Sequence, residues 1–191
     1  MSGGADASPR RARCATVKTI AVRDAREGDR NAIRAVTLGA YEEYARAFPE
    51  PCWTAYRRML VETLEGNGPA ARIVAERQGA VVGSVLLYPA AAHAYGGVAE
   101  VGRWPEVRLL AVLPSERGQG VGKALMDECV RRARHAGALA VGLHTMDVMG
   151  TAVRLYARMG FEHVPSLDFN PVPGVVVKGY RLDLTTSPAR G

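Results

Sequence analysis

Apolar and polar positions alternate in blocks along most of the chain, and their period changes from block to block. Residues 17–23 alternate with period two and predict a first strand. A polar stretch at 24–29 can cap a helix in which Ile33, Val36, Leu38, Ala40, Tyr41 and Tyr44 keep a loose helical period that ends before Pro49. A second helix is predicted over 53–64. Residues 71–76 and 80–88 are rich in strand-forming types and are separated by Arg77-Gln78-Gly79, so they read as an antiparallel hairpin. Residues 89–105 have no period and read as a long loop, a kind of segment that is more often functional than inert in a small domain.

The second half is more regular. Residues 106–113 form an apolar central strand, 120–136 a helix, 139–145 a strand, 149–159 a helix stopped by Gly160, and 161–164 a short strand. Val121, Leu125, Cys129 and Ala133 recur every four residues and give the 120–136 helix its buried stripe. Residues 166–174, flanked and interrupted by Pro165, Pro171 and Pro173, read as a loop before a closing strand at 175–184. The order implies an α/β (α+β) chain in which a mixed sheet is flanked by helices. Residues 1–16 lack any period and are read as a disordered tail, 17–184 as one domain, and 185–191 as a C-terminal tail.

Composition narrows the class. With 191 residues, 48% of them hydrophobic, the chain fills one core and falls short of two comfortable domains. No run approaches the roughly 20 apolar residues that cross a bilayer, and the start lacks the apolar centre of a signal peptide. No membrane partner and a cytoplasmic location are therefore expected. Cys14, Cys52 and Cys129 are odd in number and widely spaced, which predicts free thiols and no metal site. The net charge of +6 owes part of its value to Arg10, Arg11 and Arg13 in the tail. No basic face with interleaved aromatics is evident, so nucleic acid is not an expected partner.

The candidate chemistry centres on Arg117-Gly118-Gln119-Gly120-Val121-Gly122-Lys123, between the central strand and a helix start. Alternate glycines let bare N–H groups approach a ligand closely, and a helix N-terminus adds free donors and a positive dipole end. The expected ligand is an anion, in particular a pyrophosphate. A Walker A loop would need glycine at Arg117 and a hydroxyl at Ala124, and a dinucleotide fingerprint would need glycine at Lys123 or Leu125. Both registers fail. What matches is R/Q-x-x-G-x-G/A, met by Arg117, Gly120 and Gly122. Together with residues 106–114 and 152–161 this pattern resembles the GNAT superfamily of acyl-CoA-dependent N-acyltransferases.

The resemblance covers residues 17–184 and implies a mixed, mostly antiparallel twisted sheet with a splayed central strand pair. It implies acetyl-CoA as co-substrate, with backbone groups of Leu110, Ala111 and Val112 bonding the pantetheine arm, N–H groups from Gly118 to Lys123 holding the pyrophosphate, and Arg117, Gly118, Gln119, Gly120, Val121, Gly122 and Lys123 together as the cofactor-binding loop. Tyr156, followed by Gly160-Phe161, takes the place of the acid that protonates the leaving thiolate. Glu106 stands where some relatives carry the base, and is read equally as that base or as a solvated strand-end carboxylate. Many relatives have an asparagine where this chain has Met149. The expected acceptor is a small-molecule primary amine. A protein amine, or a CoA-binding sensing module without turnover, stays open, as does a homodimer.

Five of the chain's twelve aromatic residues, Tyr41, Tyr44, Phe48, Trp53 and Tyr56, cluster in one stretch and form a candidate acceptor wall, or simply pack helices on the sheet. Glu100 and Asp168 are weaker candidates for contacting a cationic substrate. His93, His135, His144 and His163 have no ligand spacing and are read as surface or packing residues, with His144 at the end of a core strand the exception to watch.

Overall fold

A computed structural model describes residues 19–90, 103–172 and 174–185. The expected N-terminal tail, Cys14, His93 and Glu100 lie outside these residues. The chain runs β1 (Ala21–Asp24), α1 (Arg30–Tyr41), α2 (Glu50–Glu65), β2 (Ala71–Arg77), β3 (Ala80–Tyr88), β4 (Glu106–Val112), α3 (Val121–His135), β5 (Ala140–Thr145), α4 (Gly150–Arg158), β6 (Glu162–His163), β7 (Phe169–Val172) and β8 (Val175–Asp183). One eight-stranded sheet follows the order β1-β2-β3-β4-β5-β8-β6, with β7 paired to β8. All pairings are antiparallel except that of β4 with β5.

Two predicted elements need correction. The helical period expected to reach Tyr44 stops at Tyr41, and Glu42–Ala47 tightens into a 3-10 turn before Pro49. Residues 166–174, expected to be loop, contain β7. Two prolines argue against a ladder strand, but β7 meets β8 only at Phe169↔Val177 and Val172↔Val175, so Pro171 lies where no amide has to donate.

Helices cover both faces. The stripe of α3 forecast from its spacing is buried as expected, with Val121 at 1% exposure and Leu125, Cys129 and Ala133 at 0%. It packs on Ile73, Val85, Val107, Val141 and Leu143. On the other face α1 and α2 bury Ile33, Val36, Trp53 and Leu60 against Val74, Leu86 and Leu109. A hydroxyl pair in that layer, Thr37 Oγ1 and Ser84 Oγ at 3.2 Å, satisfies two buried groups that would otherwise cost stability.

Gly83 brings α3 close to the sheet. A Cβ there would lie 2.9 Å from Val121 Cγ1, 3.0 Å from Leu125 Cδ1 and 3.1 Å from the Ala111 carbonyl oxygen. Because Val121 opens α3, this contact also sets the height of the helix N-terminus above β4. Gly83→Ala is expected to lower stability by about 1–3 kcal/mol through overpacking. An unchanged urea midpoint would contradict this packing argument.

Candidate functional site

The centre of the sheet is open. β4 and β5 pair only at Glu106↔Gly142 and Val107↔Leu143, after which the strands diverge. The cause lies in β4. Its register against β3 shifts between Ser84 and Leu86, so Leu109 and Leu110 together oppose Val85, and Leu109 is held at φ 51°. A non-glycine residue in that region costs roughly 1–3 kcal/mol and is found where the surroundings fix it. The bulge bends β4 away from β5 and leaves its β5-facing edge beyond Val107 without a strand partner. Unpaired backbone groups of this kind need a partner, and a ligand lying along the gap can supply it.

The gap opens into a cavity of about 1060 Å³, at the upper end of the range for small-molecule sites. Its wall includes Leu110 and Val112 of β4, with Tyr156 and Leu155 of α4 facing the same space. Ala111 points the other way and is buried under α1. At one end lie Arg117, Gly118, Gly120, Val121, Gly122 and Lys123. Gly118 and Gly120 adopt φ of 71° and 84°, the left-handed region that bulkier residues avoid. Gly120 caps α3 through its backbone, no side chain caps the helix, and no acidic residue sits in its first turn. The leading N–H groups of α3 therefore face the cavity as unfilled donors, suited to a phosphate.

The side chains of this loop serve to hold it. Arg117 turns outward, its Nη1 2.6 Å from Glu43 Oε2 and its Nη2 donating to the Ala40 carbonyl at 3.1 Å. Beneath the loop the buried Arg77 donates to Glu116 and to the Gln119 side-chain oxygen. Gln119 is off the cavity wall. The resemblance put backbone N–H groups from Gly118 to Lys123 on the pyrophosphate; the side chains of Arg117, Gln119 and Lys123 are engaged with protein, Lys123 Nζ lying 2.7 Å from Asp127 Oδ2.

Tyr156 is buried, with its ring 5.8 Å from Phe161, and burial pushes its phenol well above the ordinary tyrosine range. Glu106 is no solvated strand-end carboxylate, since it is only 3% exposed. Its Oε1 lies 3.2 Å from His144 Nδ1, and His144 Nε2 lies 3.1 Å from the Leu167 carbonyl oxygen. A carbonyl only accepts, so Nε2 carries a hydrogen and a further proton lies between Nδ1 and Glu106. Glu106 lines a second, smaller cavity of about 220 Å³, and His144 lines both. His144 thus stands between Glu106 and the main cavity, a place its sequence gave no spacing signal for.

Tyr41, Tyr44, Phe48 and Tyr56 also line the cavity, on the side where Arg117 reaches Ala40 and Glu43, while Trp53 packs behind them in the core. Burial, reinforced by the Glu43 carboxylate, pushes Tyr44 up to about 12. Asp168 is off the main wall. It accepts from the Gly179 N–H at 2.9 Å and from His163 at 3.0 Å, and these contacts outweigh burial and hold its carboxyl below the usual range. It ties β8 to the turn at Pro165–Leu167. Arg108, which the sequence reading passed over, lines the cavity from β4. Its signal was a lone charge inside an otherwise apolar strand. Among the described residues no three His, Cys, Asp or Glu side chains gather as a metal site requires, and no helix is long and apolar enough to cross a membrane.

A sheet opened at its centre toward a glycine-lined helix N-terminus that no side chain caps defines an α/β protein with room for an extended ligand along the gap. The chain belongs to the acetyltransferase (GNAT) family, whose model matches residues 37–161. It is 31% identical over 104 residues to an uncharacterized N-acetyltransferase of Schizosaccharomyces pombe, covering 54% of this chain and 58% of that one. It is 34% identical over 149 residues to the mycothiol acetyltransferase of Parafrankia, covering 68% and 46%. The chain thus spans about half the length of these curated relatives. Its fold matches the structure of a putative acetyltransferase, yncA, from Salmonella typhimurium, solved with acetyl-CoA, at a TM-score of 0.60 and 18% identity over 89% of this chain and 96% of that one.

Proposed function

We propose that the protein transfers an acetyl group from acetyl-CoA to a primary amine of a small molecule by direct attack in a ternary complex. The observation that carries this reading is the meeting of three features on one cavity: the open edge of β4, the unfilled donors of α3 and the Tyr156 side chain. Acetyl-CoA, when bound, supplies the activated acetyl thioester. Backbone groups of Leu110, Ala111 and Val112 bond the pantetheine arm, and N–H groups from Gly118 to Lys123 take the pyrophosphate.

The neutral amine nitrogen forms a bond to the thioester carbon as the carbon–sulfur bond breaks, and Tyr156 gives its proton to the leaving thiolate. Backbone N–H groups at the Leu109–Leu110 bulge face the carbonyl oxygen as negative charge develops there. The extra amine proton passes through water to the Glu106 carboxylate, which lies off the main wall and is held in place by His144. Glu106→Gln and His144→Gln are each expected to lower kcat by about a hundredfold or more, with acetyl-CoA affinity retained. If kcat is unchanged in both, the amine loses its proton elsewhere. Thiol release with a panel of amines tests the reading as a whole: release stimulated by an amine, with the acetylated amine as product, supports it.

A further inference from the structure

The β2–β3 hairpin carries a charge that its position does not call for. Arg77 closes β2 opposite Ala80, next to the turn at Gln78 and Gly79, where an arginine ordinarily reaches solvent. Here it is only 6% exposed. Its Nη1 carries two hydrogens and donates to both Glu116 Oε2 and Gln119 Oε1, while its Nε is buried and has no hydrogen-bond partner among the described residues. Burying a guanidinium with a donor left over costs stability, and an apolar side chain of similar volume packs a hairpin at no greater cost. The arginine is explained by what it holds, not by the hairpin.

What it holds is the glycine turn. Glu116 and Gln119 flank Arg117-Gly118, and Glu116 ends the short 3-10 turn Pro114–Glu116 that follows β4. The Gln119 amide is fixed at both ends, its oxygen accepting from Arg77 and its nitrogen donating to the Ser115 carbonyl at 3.1 Å. Arg117, between them, is tied to Ala40 and Glu43. The segment that carries Gly118 and Gly120 is thus held at several side chains before α3 begins. The second consequence is electrostatic. Glu116 puts a carboxylate on the main cavity wall together with Gly118, Gly120 and Gly122, and an unpaired charge there would repel an anionic ligand. The Arg77 guanidinium offsets it.

We infer that Arg77 is a positioning residue for the acetyl-CoA pyrophosphate, fixing the turn through Gln119 and neutralising Glu116. This rests on the reading above that the turn takes the pyrophosphate. The experiment is a double-mutant cycle in the full chain: Arg77→Gln, Glu116→Gln and the two together. Arg77→Met repeats the cycle with an apolar side chain that buries at less cost, so the test does not depend on one variant folding. Acetyl-CoA is titrated calorimetrically into each protein, and the thermal unfolding of each is recorded.

Arg77→Gln is expected to lose about 10- to 100-fold in acetyl-CoA affinity, because the turn is released and the Glu116 carboxylate faces the ligand unpaired. Glu116→Gln alone should bind no more weakly than the wild-type protein, since glutamine still accepts from Arg77 and carries no charge. The double variant should regain about fivefold or more over Arg77→Gln, although it has lost both charged partners. A packing role alone would lower the unfolding temperature without this recovery. The inference is overturned if Arg77→Gln and Arg77→Met bind acetyl-CoA as the wild-type protein does, or if adding Glu116→Gln restores nothing. Wild-type protein that binds no acetyl-CoA would overturn the pyrophosphate reading and the inference with it.

Discussion

Gly122→Glu is expected to lose about 100- to 1,000-fold in affinity for acetyl-CoA while the chain remains folded. Gly122 sits in the first turn of α3, where the leading N–H groups face the cavity. A carboxylate there meets the pyrophosphate as a like charge, which costs several kcal/mol, and its bulk occupies the space the phosphate oxygens need. The fold should survive because Gly122 is outside the left-handed region and a Cβ would meet only Leu155 Cδ2 at 3.3 Å and Val112 Cγ2 at 3.7 Å, both ends of flexible side chains. Gly120 is a poorer choice, since its φ of 84° would strain any replacement. Gly122→Ala adds bulk without charge and should lose far less. Calorimetric titration alongside thermal unfolding reads both quantities, and wild-type affinity in the glutamate variant would remove the phosphate role from this loop.

Tyr156→Phe should lower kcat by about 10²–10⁴ with acetyl-CoA affinity largely retained. The phenyl ring keeps the packing against Phe161, so only the hydroxyl is lost. Burial raises the phenol above its ordinary value near 10, so the neutral, proton-donating form persists through and beyond that pH. The sign follows directly: Tyr156 contributes no falling limb to the kcat profile below about pH 10. Full turnover in the phenylalanine variant, with an unchanged profile, would sink the assignment.

The features that were legible in the sequence are local. The α3 stripe follows from a four-residue period, the β2–β3 hairpin from Gln78-Gly79, and the end of α4 from Gly160, whose φ is 86°. The glycine-rich turn before α3 was legible because closely spaced glycines mark a turn, and Gly118 and Gly120 adopt positive φ. What was not legible depends on pairing across the chain. Glu106 and His144 come together because β4 runs parallel to β5 with Glu106 opposite Gly142, a register no local period encodes. Arg117 meets Glu43 across 74 residues, an ion pair that no local period announces. β7 was hidden because proline content argues against strands in general, and only its sparse pairing with β8 makes room for Pro171. Glu106 was read equally as the base or as a solvated carboxylate because it opens a strand, and its burial decides against solvation: it is 3% exposed and lines a small cavity with Trp104, Leu167 and His144.

The central claim is that one cavity binds acetyl-CoA and passes its acetyl group to an amine. The direct measurement is the wild-type protein with acetyl-CoA and the amine panel, following free thiol and acetylated amine together. The account predicts thiol release stimulated by an amine and matched one for one by N-acetylated product. Tight acetyl-CoA binding with no acetylated amine from any member of the panel would contradict it.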